Sequence, residues 1–354
     1  AGQVSGAHAT SVAVPNFGAA TTLADGSLAV GLAVVAPYGL ETRFAGDSPI
    51  RYAATDARLR VVDITPALAV AVNDQVSIGV GVDYYNVVEG DLEHKFNTRG
   101  VNASKGDVGA YADANARLNG NGYGEGYHLG FTYRPNKHHQ LGVVYHSNVK
   151  VALDGNTVIT GLSGTVASAA VFGGTNFQTT AHTALYMPQN IQLGYAWLPN
   201  DKTAVEVDAA WYDWYHARQL LVAYDSLTSA QSTVLNSSAS NPTVYKPRKT
   251  LNFGVGVSHQ CTQTIQGRAG FYYQAAALPE SNFSPAFLDL PRYAGTVGLG
   301  WNIAKDWSLD AAYEAVFFHS RFIDRPDTNN LASGYSGSFA SRANIMAASL
   351  TYRL

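Results

Sequence analysis

The chain is short of charge. Asp, Glu, Lys and Arg make up 14% of its 354 residues, against about 25% in ordinary soluble domains. The formal net charge is only −3, so there is no basic field to attract nucleic acid. Long apolar runs are missing as well: no stretch reaches the roughly 20 consecutive apolar residues that a membrane-crossing helix needs. The single cysteine, Cys261, excludes an intramolecular disulfide and reads as an inert residue in a turn. Methionine is nearly absent, at two residues, and no secretory leader is visible at Ala1, as in a mature or trimmed chain.

Glycine (34) and tyrosine (21) are plentiful instead, and much of the chain has a period of two. In Ile191-Gln192-Leu193-Gly194-Tyr195-Ala196-Trp197 bulky apolar residues alternate with small or polar ones. Leu251–Val257 and Trp307–Tyr313 repeat the pattern. Such segments are strands with two unlike faces. Bulky faces that often end in Tyr or Trp, on segments of nine residues or more, are the mark of strands crossing an outer membrane. The fold class this predicts is all-β: a transmembrane antiparallel barrel, one domain over residues 1–354.

Thirteen strands are expected, at 11–23, 27–44, 57–73, 76–88, 125–133, 140–152, 188–198, 203–222, 250–260, 264–273, 293–301, 307–318 and 342–353. Tight turns at Asp25-Gly26, Asn73-Asp74-Gln75, Pro135-Asn136-Lys137, Pro199-Asn200-Asp201, Cys261-Thr262-Gln263 and Ala304-Lys305-Asp306 alternate with long loops at 45–56, 89–124, 153–187, 223–249, 274–292 and 319–341. Short turns at one end and long loops at the other are the asymmetry of a bacterial barrel. Such barrels have even strand numbers, so parity calls for a fourteenth strand upstream of Ala1. Two alternatives remain: a pair of these strands is one, or residues 1–10 supply a short partner.

Several residues invite an enzymatic reading. Asp63, Asp83, Glu206, Asp208, Asp310, Glu314, His128, Arg134, Arg268 and Arg353 all fall on the small, lumenal face. Paired carboxylates can serve acid–base chemistry, but the stronger reading is that these groups hydrate the lumen and pair with one another. His138-His139 lacks a third ligand nearby in sequence. Gly122-Tyr123-Gly124-Glu125-Gly126 leads into a strand rather than the helix a nucleotide loop requires. No Gly-x-Ser-x-Gly elbow is present, and Ser147 beside His146 is a weak pointer to a hydrolase.

Six short motifs, in order, carry a resemblance: Val14-Pro15-Asn16; Asn119-Gly120-Asn121-Gly122-Tyr123-Gly124-Glu125-Gly126-Tyr127-His128-Leu129-Gly130; Tyr145-His146-Ser147-Asn148-Val149-Lys150; Leu185-Tyr186-Met187-Pro188-Gln189; Trp211-Tyr212-Asp213-Trp214; and Leu290-Pro291-Arg292-Tyr293. Together they resemble the FadL family of outer-membrane channels for hydrophobic compounds. The resemblance implies a fourteen-stranded barrel with an N-terminal hatch, carrying long-chain fatty acids or monoaromatic and other hydrocarbons. It also implies that an inward kink of one strand opens the wall, so that ligand leaves sideways into the membrane.

The chain departs from that pattern in three places. The hatch and first strand, which would precede Ala1, are not in the sequence. The last residue is Leu354, where barrels often end in an aromatic, although Tyr352 stands two positions before it. Of the basic side chains that the family places near its inner pocket, only Arg218 has a counterpart here, which favours a neutral hydrocarbon.

Ala36-Pro37-Tyr38-Gly39, inside the second strand, is the candidate gate, because Pro removes a ladder donor and Gly weakens pairing. An ordinary bulge near the outer rim is the alternative. Apolar residues in loops, Leu162, Val166, Val171, Phe172 and Phe177 in one and Phe283, Phe287, Leu288 and Leu290 in another, mark either a ligand-collecting surface or loops packed on each other.

The function expected is passive uptake of a hydrophobic small molecule by a monomer surrounded by lipid (or by detergent once extracted), with no cofactor, no metal and no catalysis. A general diffusion porin, an adhesin or structural barrel, and a barrel hydrolase are the rival readings.

Overall fold

The computed structural model describes residues 6, 11–235, 243–323 and 336–353. Its first strands are β1 (Phe17–Leu23), β2 (Leu28–Arg43), β3 (Asp56–Ala71), β4 (Val76–Phe96) and β5 (Ala114–Asn136). They are followed by β6 (His139–His146), β7 (Val149–Thr160), β8 (Asn176–Met187), β9 (Gln189–Asn200) and β10 (Thr203–Asp213). Three two-residue strands come next: β11 (Gln219–Leu220), β12 (Ala223–Tyr224) and β13 (Thr243–Val244). Then come β14 (Thr250–Gln260), β15 (Ile265–Gln274), β16 (Arg292–Ala304), β17 (Trp307–Phe318), β18 (Arg321–Ile323), β19 (Gly337–Phe339) and β20 (Arg342–Tyr352). Two short helices, α1 (Thr98–Ser104) and α2 (Ser229–Leu235), lie in the long loops.

Thirteen strands form one antiparallel wall in the order β1-β2-β3-β4-β5-β6-β9-β10-β14-β15-β16-β17-β20. Among the described residues β1 and β20 share no ladder, and both are exposed on nearly every residue.

Side-chain chemistry sets the short turns. Asn73 Oδ1 accepts the amides of Gln75 and Val76, each at 2.9 Å. Asn136 and Asn200 repeat the arrangement with His138 and Lys202, again at 2.9 Å. Thr262 does the same with its hydroxyl. These Asx and ST turns reverse the chain without a helical turn.

Register fixes the faces. Gly81, His128, His146, Asn190 and Tyr212 lie in one cross-strand row. Glu206 and Asp208, an even number of residues from Tyr212, therefore share its face. Leu193 and Val207, each half exposed, lie on the other face, as do Phe253, Leu309 and Tyr313 on their strands. The outer face carries aromatics at two levels: Phe271, Tyr293 and Phe317 stack in sequence at the upper one, and Trp307 packs on Tyr352 at the lower one. Phe317 and Trp307 are ten residues apart on β17, roughly 25 Å of height for a strand tilted by about 40°. That is the apolar band of an outer-membrane barrel. Above it on β2–β5 the outer surface turns ionic, with Arg43–Asp56 at 2.9 Å, Arg58–Glu89 at 2.9 Å and Arg117–Asp91 at 2.9 Å.

The structure corrects several expected boundaries. Residues 89–124 and 153–187 are not simply loops. β4 and β5 pair up to Phe96 and Ala114, and β7 pairs with β8 from Val149–Met187 to Thr160–Asn176. The expected strand 140–152 is two: β6 stays in the wall against β9, while β7 rises with β8. Ser147 marks the break, donating its amide to Tyr127 O at 2.9 Å and accepting the Tyr127 amide on Oγ at 3.0 Å. Pro188, which lacks an N–H, separates β8 from β9 in the same way. The strand expected at 203–222 stops at Asp213, whose Oδ1 accepts the amide of Tyr215 at 3.1 Å.

Candidate functional site

The wall is interrupted in β2. Val35 pairs with Asp63 and Tyr38 with Val61, so Ala36 and Pro37 together face only Val62 on β3. This is a β-bulge, built on the residue that can donate no ladder hydrogen bond. On the other side the β1 ladder ends at Phe17–Val34, and Asn16 Oδ1 accepts the Ala36 amide at 3.3 Å. Beyond that bond, among the described residues, β2 pairs with β3 alone.

Tyr38 turns inward from the bulge. Its ring centroid is 6.2 Å from that of Tyr85, and it packs on a core of Val61, Tyr85, Val87, Val149, Val151, Leu153 and Met187. Pro37 and Gly39 are exposed.

A cavity of about 460 Å³ opens directly behind the bulge. Pro37, Tyr38, Gly39 and Leu40 line it from β2, Ala184–Met187 from β8, and Tyr212 and Trp214 from β10 and its end. Phe287 and Leu288 close it from the loop before β16. A second space of about 100 Å³ adjoins it and shares Leu59, Leu185, Leu220 and Phe287.

Polar groups sit at one side. Arg292 donates from Nε to Gln274 at 2.8 Å, and among the described residues no carboxylate lies within ion-pair distance of it. Burial pushes the Asp289 carboxyl above the usual carboxylate range. Tyr245 also lines the cavity; burial raises its hydroxyl, which has no hydrogen-bond partner among the described residues.

The residues singled out from sequence separate into three places. Pro37, Tyr38, Gly39, Phe287 and Leu288 meet at this cavity, with Ala36 beside them in the bulge. Leu162, Val166, Val171 and Phe172 instead form a buried cluster with Ile159, and Phe177 packs on it at 4.6 Å from Phe172; these loops pack on each other. Phe283 belongs to a further cluster with Leu290 and Ile323. Arg218 is exposed and bonded to the Tyr215 hydroxyl at 3.0 Å, so the cavity's basic group is Arg292. Tyr245 and Arg292 carried no sequence signal that marked them as inward-turned. Of the lumenal acids and bases, Arg268 pairs with Asp310 at 2.7 Å and Glu314 accepts the Tyr272 hydroxyl at 2.7 Å, whereas Asp63, Glu206 and Asp208 form no ion pair among the described residues. Among the described residues Asp83, His128 and His146 are the side chains that converge as metal ligands.

Outside the membrane band, His182 on β8 links β7 to the loop after β12. Its Nδ1 lies 2.6 Å from Asp154 Oδ1 and its Nε2 3.2 Å from Asp225 Oδ2. These bonds lift its pKa above the ordinary histidine range, Asp154 most strongly. A raised folded pKa means the contact is complete below the unfolded pKa of about 6.5 and is lost as pH rises through the folded value. β12, which pairs with β8 at His182, should therefore loosen at alkaline pH. Amide exchange in β12, corrected for intrinsic rate, should show more protection near pH 6 than near pH 9. The difference should vanish in His182→Gln; a difference that persisted there would assign the effect elsewhere.

Residues 2–354 match the family model described as outer membrane protein transport protein (OMPP1/FadL/TodX). A protein of Neisseria meningitidis serogroup B, described as an outer membrane protein, is 24% identical over 255 residues, which are 68% of this chain and 53% of the relative. The chain thus spans about half the length of that curated relative. Among solved structures, a Pseudomonas aeruginosa FadL homologue superposes with a TM-score of 0.82 at 22% identity, over 96% of this chain and 78% of its own. The Ralstonia pickettii toluene transporter TbuX superposes with a TM-score of 0.67 at 18% identity, over 95% and 80%. The Pseudomonas putida toluene transporter TodX reaches 0.67 at 16% identity, over 96% and 82%. Matched along its whole length by the family model and sharing the barrel fold of these structures, the chain belongs to the FadL/TodX family of outer-membrane transport proteins.

Proposed function

We propose that the chain is a passive channel for hydrophobic compounds, which gather in the cavity under the outer loops and leave sideways through the wall at the β2 bulge. The observation that carries this reading is the contact between the two features: the cavity reaches the wall at Pro37 and Gly39, where β2 has lost its β1 partner. Lateral exit keeps a greasy ligand out of water, which is worth about 0.8 kcal/mol per CH₂. A polar axial pore would forfeit that gain.

Arg292 extends the substrate class. Sequence reasoning favoured a neutral hydrocarbon because Arg218 was the only basic candidate. A guanidinium on the cavity wall with no paired carboxylate favours ligands that end in a carboxylate as well. Monoaromatics and fatty acids both suit a cavity of this size.

Leu220 lines both spaces and lies in a short loop strand, so it offers a test with little risk to the barrel. Leu220→Arg is expected to weaken binding of toluene by at least about tenfold, since one buried charge costs several kcal/mol. Equilibrium binding to the purified protein reads this directly. A general porin would instead admit sugars into proteoliposomes without saturation, and that result would replace this reading.

A further inference from the structure

Two carboxylates and two imidazoles meet on the inward face of β3–β6, beside the transport cavity but not lining it. Asp83 on β4 is fully buried. Its Oδ1 lies 2.7 Å from His128 Nδ1 on β5, and its Oδ2 lies 3.2 Å from His146 Nδ1 on β6. The two rings are 5.2 Å apart, and ligand atoms of all three residues lie within 4.8 Å of one another. Asp63 on β3 is 4% exposed, lies within electrostatic reach of the group, and has its Oδ1 buried without a hydrogen-bond partner. The space is shaped by glycine: a Cβ at Gly81 would run into the His128 ring, and one at Gly126 would stand 2.9 Å from Ser147 Oγ.

Charge balance decides what this group is for. Asp63 and Asp83 place two carboxylates in this buried group, and burying unpaired charge is expensive. Among the described residues no Lys or Arg pairs with Asp63 or Asp83. A divalent cation can be shared by all three side chains, whose ligand atoms lie within 4.8 Å of one another. Two histidines and a carboxylate suit zinc and its transition-metal neighbours rather than calcium or magnesium, which prefer oxygen. Tetrahedral coordination with bonds of about 2.1 Å spaces ligand atoms about 3.4 Å apart. The two contacts, at 2.7 and 3.2 Å, run to different oxygens of Asp83, so an ion held through one of them would draw the second imidazole across the carboxylate.

We infer that Asp83, His128 and His146 bind a divalent transition-metal ion through one carboxylate oxygen and both Nδ1 atoms, with Asp63 balancing charge outside the ligand sphere. The ion clamps β4, β5 and β6 to one another below the β2 bulge.

Metal retention by the folded chain in detergent tests this without reference to transport. The protein is stripped with a chelator, exposed to Zn²⁺ or Co²⁺ alone, and freed of excess ion. About one equivalent should remain, and the cobalt form should show the visible absorption of a low-coordinate site. Asp83→Asn and His146→Gln should weaken binding by about 100-fold or more, and Asp63→Asn by about tenfold. His182→Gln, which removes the exposed histidine between Asp154 and Asp225, should leave retention unchanged. Circular dichroism and heat-modifiable gel mobility identify variants that fail to fold. Should both ligand variants fail, chelator competition and the cobalt spectrum of the parental chain still decide. Failure of the parental chain to retain metal, unchanged retention in folded Asp83→Asn, or loss in His182→Gln would overturn the assignment.

Discussion

Deleting Ala36 and replacing Pro37 with Val is expected to cut uptake of a hydrophobic substrate by at least about tenfold, the effect of roughly 1.4 kcal/mol added to a barrier. The bulge sets two residues of β2 against Val62 alone, so removing one restores a continuous register from Val35–Asp63 to Tyr38–Val61. Substituting Pro37 and Gly39 by Val without a deletion supplies the missing donor but leaves the extra residue in place, and its effect should be smaller. Gly39 tolerates a side chain, since a Cβ there would come no closer than 3.8 Å to the Leu59 carbonyl. Tyr38 keeps its inward direction after the deletion, because the pairing of Tyr38 with Val61 is unchanged. Folding should survive, as the change adds a β-favouring residue. Uptake of labelled oleate and toluene by cells lacking their own hydrophobic-compound channel gives the readout. Parental uptake by a correctly folded deletion variant would remove the gate from this position.

A second large effect is expected where β5 and β7 approach most closely. A Cβ on Gly122 would run into the Ala152 carbonyl, and one on Gly155 into that of Asn119. Backbone cannot swing aside as a flexible side chain can. Gly122→Ala or Gly155→Ala should therefore cost about 3 kcal/mol, the upper range for overpacking. The loss should concentrate in the β5–β7–β8 extension. Amide protection should fall there while the β14–β17 wall is unaffected. β8 contributes Leu185 and Met187 to the cavity, so ligand affinity should fall with it. A uniform loss of protection around the barrel would mean that the extension and wall unfold together.

Inside the membrane band the strands were legible because lipid and lumen demand opposite chemistry from successive residues. At 250–260 the expected and observed strands coincide, with Leu251, Phe253, Val255 and Val257 outward. Above the band that contrast ends, since both faces of β4, β5, β7 and β8 meet water or packed loops. Ala114-Asn115-Ala116-Arg117 therefore disappeared into a supposed loop, although Ala114 and Ala116 are buried and alternate. Of the site, Pro37 and Gly39 were visible as breaks in a periodic segment, whereas Arg218 and Arg292 differ only in orientation, which comes from register and loop packing. Asp83, His128 and His146 are far apart in sequence, and only the β4–β5–β6 ladder brings them together.

The break at Ser147 and Pro188 divides responsibility within the molecule. β6 and β9 pair directly below it, so the barrel keeps its circumference whatever stands above. β7 and β8 stand above it and join the wall through the β5–β7 ladder, from Asn115–Thr160 to Tyr123–Ala152. The chain thus sets an upper sheet on an uninterrupted lower seam, and the cavity, lined by Tyr38 and Arg292 of the wall as well as by Leu185 and Met187 of β8, belongs to both.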